Sequence, residues 1–121
     1  MKVIYENQIK SFGENATEFQ DMNMVILFGD NAPAEIRDYC YCIDVNPLHG
    51  AITAGQILKI NDTEFTITAV GSEAPVTLAR LGHCTINFNG QKEVELPGTI
   101  YVENKPLPAM TIGSTIQILG E

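Results

Sequence analysis

The chain has 121 residues and a mass of 13.3 kDa, 45% of it hydrophobic, enough to bury a core as one domain (residues 1–121) without disulfide or metal staples. Fifteen acidic against seven basic residues give a net charge of -8, which argues against nucleic acid or an anionic membrane surface as partner and makes a basic protein the natural complement. No apolar run follows Lys2 and no stretch of about 18 apolar residues occurs, so neither a signal peptide nor direct membrane insertion is expected, and the chain is assigned to the cytoplasm.

Taken in chain order, the apolar segments are short, rich in β-branched residues and bounded by Gly, Asn, Asp or Pro, the signature of strands separated by turns. A first strand is predicted at Lys2–Lys10, then a helical turn at Asn15–Gln20, where Asn15 and Glu18 have capping-box spacing. A strand at Asn23–Phe28 follows. Pro33–Tyr39 opens with proline and carries Glu35 early, so it reads as a short helix, leading into a strand at Tyr39–Val45. Strands at Gln56–Ile60 and Glu64–Val70 flank "NDT", which is expected to close a hairpin. Pro75–Leu81 reads as a second helix, with Arg80 in its last turn and Gly82 as its C-terminal cap. Strands at Cys84–Asn89, Thr99–Val102 and Thr115–Leu119 complete the set, and "NG" at Asn89–Gly90 is expected to close another hairpin.

"AITAGQILKI" from Ala51 and "AMTIGSTIQI" from Ala109 share the alanine, the threonine, the glycine and the final isoleucine. Either one strand-entry device is used twice, as in a barrel with two related halves, or a pattern common in β proteins recurs by chance. Both lead to the same architecture: all-β, a small closed or partly closed β-barrel with one or two short helices.

Catalytic motifs are scarce. Neither a P-loop nor a G-x-S-x-G elbow is present, and the carboxylate pairs Glu93/Glu95 and Glu35/Asp38 read as solvated surface. An odd number of cysteines makes no closed disulfide set. Cys40 and Cys42 would share one face of a strand, a poor pinch for zinc, with only His49, His83 and Cys84 as further soft donors, so buried thiols and no metal are expected. The strand after Gly82 alternates: Cys84, Ile86 and Phe88 toward the core, His83, Thr85 and Asn87 outward or into a cleft. There His83 is either an ordinary strand-entry residue or a nucleophile, since neutral imidazole exists at pH 7. His49, in the turn "NPLHG", reads as an exposed loop residue.

The segments "VIY", "GDNAPAEIRDYC", "ITAVGS", "LARLGHCTINFNG" and "ELPGTIYVE", in this order and spacing, resemble the enzyme IIA component of the glucitol/sorbitol branch of the bacterial sugar phosphotransferase system. The similarity covers nearly the whole chain. It implies a cytoplasmic β-barrel that accepts a phosphoryl group on histidine from the carrier HPr and passes it to the IIB component of the sorbitol transporter, with no cofactor and no metal. One departure stands out: the family's phospho-accepting histidine is expected just after the Tyr-Cys segment, where this chain reads Tyr41, Cys42, Ile43, Asp44. That leaves His83, in the matching "LGH" segment, as the candidate nucleophile and His49 in reserve. Arg80, Thr85 and Asn87 are candidate phosphoryl-stabilising groups, Arg80 serving equally as a cation for the helix dipole. A chain without the family histidine is also compatible with a non-catalytic barrel that binds or regulates a partner through its acidic surface. The sequence leaves a homo-oligomer open.

Overall fold

The structure is a computed structural model that describes residues 2–30 and 32–120. Its strands are β1 (Lys2–Gln8), β2 (Ser11–Phe12), β3 (Met24–Gly29), β4 (Tyr41–Ile43), β5 (Ile57–Ile60), β6 (Thr63–Val70), β7 (Cys84–Asn87), β8 (Thr99–Val102) and β9 (Thr115–Gly120). Two short α-helices, α1 (Ala34–Arg37) and α2 (Ala74–Leu81), and a 3-10 helix at Glu18–Met22 lie between them.

All nine strands join one sheet in the order β1-β9-β5-β6-β8-β7-β3-β4-β2. Its two ends are consecutive pieces of one chain run. After pairing with β9, the chain bends at Ile9 and Lys10, whose amides donate to Ser114 O and Cys42 O, and β2 then pairs with β4. The ring thus meets itself in the run from Lys2 to Phe12, which deals with the exposed-edge problem as a barrel does. Alternate residues such as Leu58, Ile60, Phe65, Ile67, Ile116 and Ile118 point inward to the main core.

The sequence echo is a structural repeat. Gly55 N donates to Ile67 O and Gly113 N to Ile9 O; in return Ile67 N donates to Gln56 O and Ile9 N to Ser114 O. Even the side-chain bonds match, because Thr53 N donates to Gln56 Oε1 and Thr111 N to Ser114 Oγ. The equivalent strands β5 and β9 pair antiparallel with Lys59 opposite Gln117, as a local two-fold relation requires. The 3-10 helix and α2 are likewise equivalent: each ends in a left-handed residue, Asn23 (φ 59°) and Gly82 (φ 69°), and feeds one of the antiparallel neighbours β3 and β7.

Four expectations need correction. The first strand ends at Gln8, short of the expected Lys10, because the chain bends at Ile9 and Lys10 to change partners, and a separate two-residue strand, β2, follows at Ser11–Phe12. The capping box is not formed: Glu18 N donates to the Asn15 carbonyl, not to its side chain, and the helix begins after Thr17 without a side-chain cap. The β4 strand is shorter than Tyr39–Val45, because Tyr39 N closes the turn after α1 on Ile36 O and Asp44 turns toward β1. "NDT" does close the β5–β6 hairpin, with Asn61 at φ 54°, but "NG" closes none, because β7 and β8 are parallel and Gly90 N donates to Val102 O. A parallel neighbour needs a crossover, which the segment between Asn87 and Thr99 supplies.

Candidate functional site

Three backbones converge where α2 ends. Gly82 N donates to Leu78 O and His83 N to Thr77 O, so the last turn is wrapped by the residues that leave it. Gly82 is left-handed and buried, and a Cβ on it would lie 2.8 Å from Gly29 N and 3.5 Å from the Asp44 carbonyl oxygen. The ends of β3, β4 and α2 therefore touch at a point that only glycine fits. The tetrapeptide Tyr41–Asp44, in which the family's histidine was expected, ends at the residue before His83.

His83 is half-buried and its imidazole stacks on Phe28, with ring centroids 4.4 Å apart and planes 14° from parallel. The register explains the pairing. Leu27 lies opposite Cys84 in the antiparallel β3–β7 pair, so the next step sets Phe28 beside His83. Phe28 is in turn beside Cys42 of β4, and Cys42 opposite Ser11 of β2. Burial holds the His83 pKa below its ordinary value, so the ring is neutral near pH 7 with a lone pair free on one nitrogen. Neutral imidazole is the nucleophilic form.

The expected face is present: His83, Thr85 and Asn87 are half-exposed while Cys84, Ile86 and Phe88 are buried. Thr85 follows one strand repeat from His83, about 7 Å away, but Asn87 is two repeats away, roughly 13 Å. Asn87 lies opposite Met24, and its buried Oδ1 has no hydrogen-bond partner among the described residues. Arg80 is exposed on the last turn of α2. His49 is exposed on the turn after Asn46, with its backbone N donating to Ile4 O of β1.

Several neighbours carried no local signal in the sequence. A cleft of about 260 Å³ beside the Cys42 row is lined by Lys10, Ser11, Asp30, Arg37, Cys42 and Asp44. Lys10 and Asp44 form an ion pair of 3.4 Å, half exposed on both sides. Arg37 is held by its guanidinium, which donates to Asp30 O (3.0 Å) and Ala32 O (2.8 Å). Phe28 in particular could be connected with His83 only through the β3–β7 register, a relation between residues far apart in sequence.

The three thiols are free and buried. Cys40 packs with Phe28 and Ala32 in a small outer cluster, and burial pushes its pKa up to about 11; Cys84 lies in the main core, with its pKa pushed up to about 12 by burial. Among the described residues no group of three or more His, Cys, Asp or Glu converges as a metal site would require, and no helix is long and apolar enough to cross a membrane.

Comparison with known proteins covers the chain almost end to end. The family described as "PTS system glucitol/sorbitol-specific IIA component" matches residues 4–117. A "PTS system glucitol/sorbitol-specific EIIA component" of Shigella flexneri is 38% identical over 108 residues, 89% of this chain and 87% of the relative. Its namesake in Escherichia coli (strain K12) is 37% identical over the same lengths. Among solved structures, the crystal structure of a PTS system IIA component from Enterococcus faecalis V583 matches with a TM-score of 0.82 and 28% identity, over 96% of this chain and all of that one.

Proposed function

Since the chain belongs to the family of PTS glucitol/sorbitol-specific IIA components, we propose that it is a phosphocarrier that takes a phosphoryl group from HPr onto His83 and passes it to the IIB component of a glucitol/sorbitol transporter. The observation that carries this reading is the His83–Phe28 stack at the junction of β3, β4 and α2: a neutral, half-exposed imidazole beside the end of the Tyr41–Asp44 segment.

In the transfer, the lone pair of one His83 nitrogen forms an N–P bond as the donor's P–N bond breaks, and that electron pair returns to the donor imidazole. Positioning and electrostatics supply the rate, with no bond to build beyond this exchange. Arg80, on the preceding helical turn, brings a guanidinium toward the phosphoryl oxygens, and the Thr85 hydroxyl follows on the same face. Asn87, roughly 13 Å along the strand, is left out of that cradle. The net charge of -8 would steer a carrier whose docking face is basic to the site more than it would tighten the complex.

The test is incubation with phosphoenolpyruvate, enzyme I and HPr, followed by intact mass and acid-lability measurement on wild type, His83→Ala and His49→Ala. One acid-labile phosphoryl group on wild type and His49→Ala, and none on His83→Ala, is expected. Phosphate retained by His83→Ala overturns the site, and none on wild type favours a barrel that binds a partner without carrying phosphate.

A further inference from the structure

We propose that Phe28 is the positioning residue for His83, and that Ala32, Cys40 and the helix α1 after β3 serve as its backing plate. The proposal rests on the reading of His83 as the phosphoryl acceptor, but its geometry stands apart from that reading. Phe28 is only 7% exposed although it lies on the outer face of the barrel. Its near-parallel approach to the imidazole, 4.4 Å between centroids and 14° between planes, covers one face of the His83 ring. The lone pair that attacks phosphorus lies in the plane of the imidazole, so a ring stacked on its face fixes the plane without obstructing in-line approach at the edge.

The stack is useful only if Phe28 cannot move away. Behind it lie Ala32 and Cys40, with Ile26 against the same small cluster. Ala32 is tied down by the Arg37 guanidinium, which among the described residues donates to the carbonyls of Asp30 and Ala32. Cys40 is held to α1 through its thiol, which donates to Ile36 O at 3.2 Å. A continuous set of contacts thus runs from Arg37 through Ala32 to Phe28 and on to His83. The outer cluster is separate from the main core, so its purpose is not the closure of the barrel. Preorganisation of a reacting side chain by packing behind it is what such a layer provides.

The experiment follows the His83 ring by NMR in wild type, Phe28→Leu, Phe28→Tyr and Arg37→Gln, with phosphoryl transfer from HPr measured on the same samples. Phe28→Leu keeps an apolar side chain but removes the flat face. The His83 ring protons are expected to lose their ring-current shift, its pKa to rise toward about 6.5, and the initial transfer rate to fall about tenfold. Phe28→Tyr restores all three. Arg37→Gln gives the same changes at smaller amplitude. Unchanged ring shifts and pKa in a folded Phe28→Leu protein overturn the proposal. The ring shifts decide it whether or not His83 accepts phosphate, so a wild type that takes up none at His83 counts against the phosphocarrier reading alone.

Discussion

Asn7 and Asp44 hold each other through both ends of one side-chain amide: Asn7 Nδ2 donates to Asp44 O at 2.7 Å while Asp44 N donates to Asn7 Oδ1 at 3.1 Å. The side chain mimics a strand partner, completing the seam where the chain leaves β4 and passes β1. Asn7 is 3% exposed, and it also donates to Tyr5 Oη and accepts from Gln8 N. Asn7→Ala leaves the buried Tyr5 hydroxyl and three part-buried backbone groups, Asp44 O, Asp44 N and Gln8 N, without this partner, a cost on the order of 3 kcal/mol. Chemical denaturation will show the loss, and hydrogen exchange at the Asp44 amide will accelerate more than at the β5–β9 amides.

Gly82→Ala is expected to be costly for two reasons that add. Its φ of 69° disfavours any side chain, and the new Cβ would press on Gly29 N at 2.8 Å. A loss of roughly 2–3 kcal/mol in urea denaturation follows. Because Gly29 must shift, the Phe28 ring beside it moves as well, and phosphoryl acceptance by His83 drops further than the stability loss alone would cause.

His83 makes stability depend on pH in a defined sense. Its folded pKa lies below the ordinary value because burial disfavours the cation, while the unfolded residue titrates near 6.5. Between those two values the unfolded chain binds more protons than the folded one, so stability falls as pH falls through that window and is level again below the folded pKa. Urea midpoints for wild type and His83→Gln, measured from pH 8 to pH 5, should diverge on the acid side, with the variant showing the shallower slope.

The two strand-entry turns repeat in geometry but differ in environment, and so should the effect of removing their side-chain acceptors. Ser114 is 5% exposed and its Oγ accepts from Thr111 N and meets the Asn61 amide. Ser114→Ala is expected to cost about 1–2 kcal/mol. The equivalent Gln56 makes its bonds near solvent, to Thr53 N and Ala51 O, and Gln56→Ala should cost about 0.5 kcal/mol or less. Thermal melts of the two variants side by side will compare the halves.

Strands and helices were legible where short-range chemistry decides them. The alternation about Cys84, Ile86 and Phe88 gave the inward face, proline gave helix starts, and Gly82 gave the stop. "NG" misled because a two-residue signal for a hairpin cannot say whether the next strand runs antiparallel, and here β8 returns parallel to β7. The candidate site divides in the same way. His83, Thr85 and Arg80 are near one another in sequence and were visible together. Phe28, Asp44 and Arg37 reach the site only through the order of strands in the ring, which no local pattern encodes.

The equivalence of the two halves has a consequence for the chemistry. Asn23 and Gly82 end their helices in the same left-handed conformation, and the residues that follow are Met24 and His83. Across the same pair of strands Met24 faces Asn87, where His83 faces Phe28. The molecule therefore carries a twin of the candidate site, built on the same backbone, with a thioether for the imidazole and an amide for the aromatic ring. Whatever the shared scaffold confers belongs to both twins, and what belongs to one alone is owed to the few side chains by which they differ.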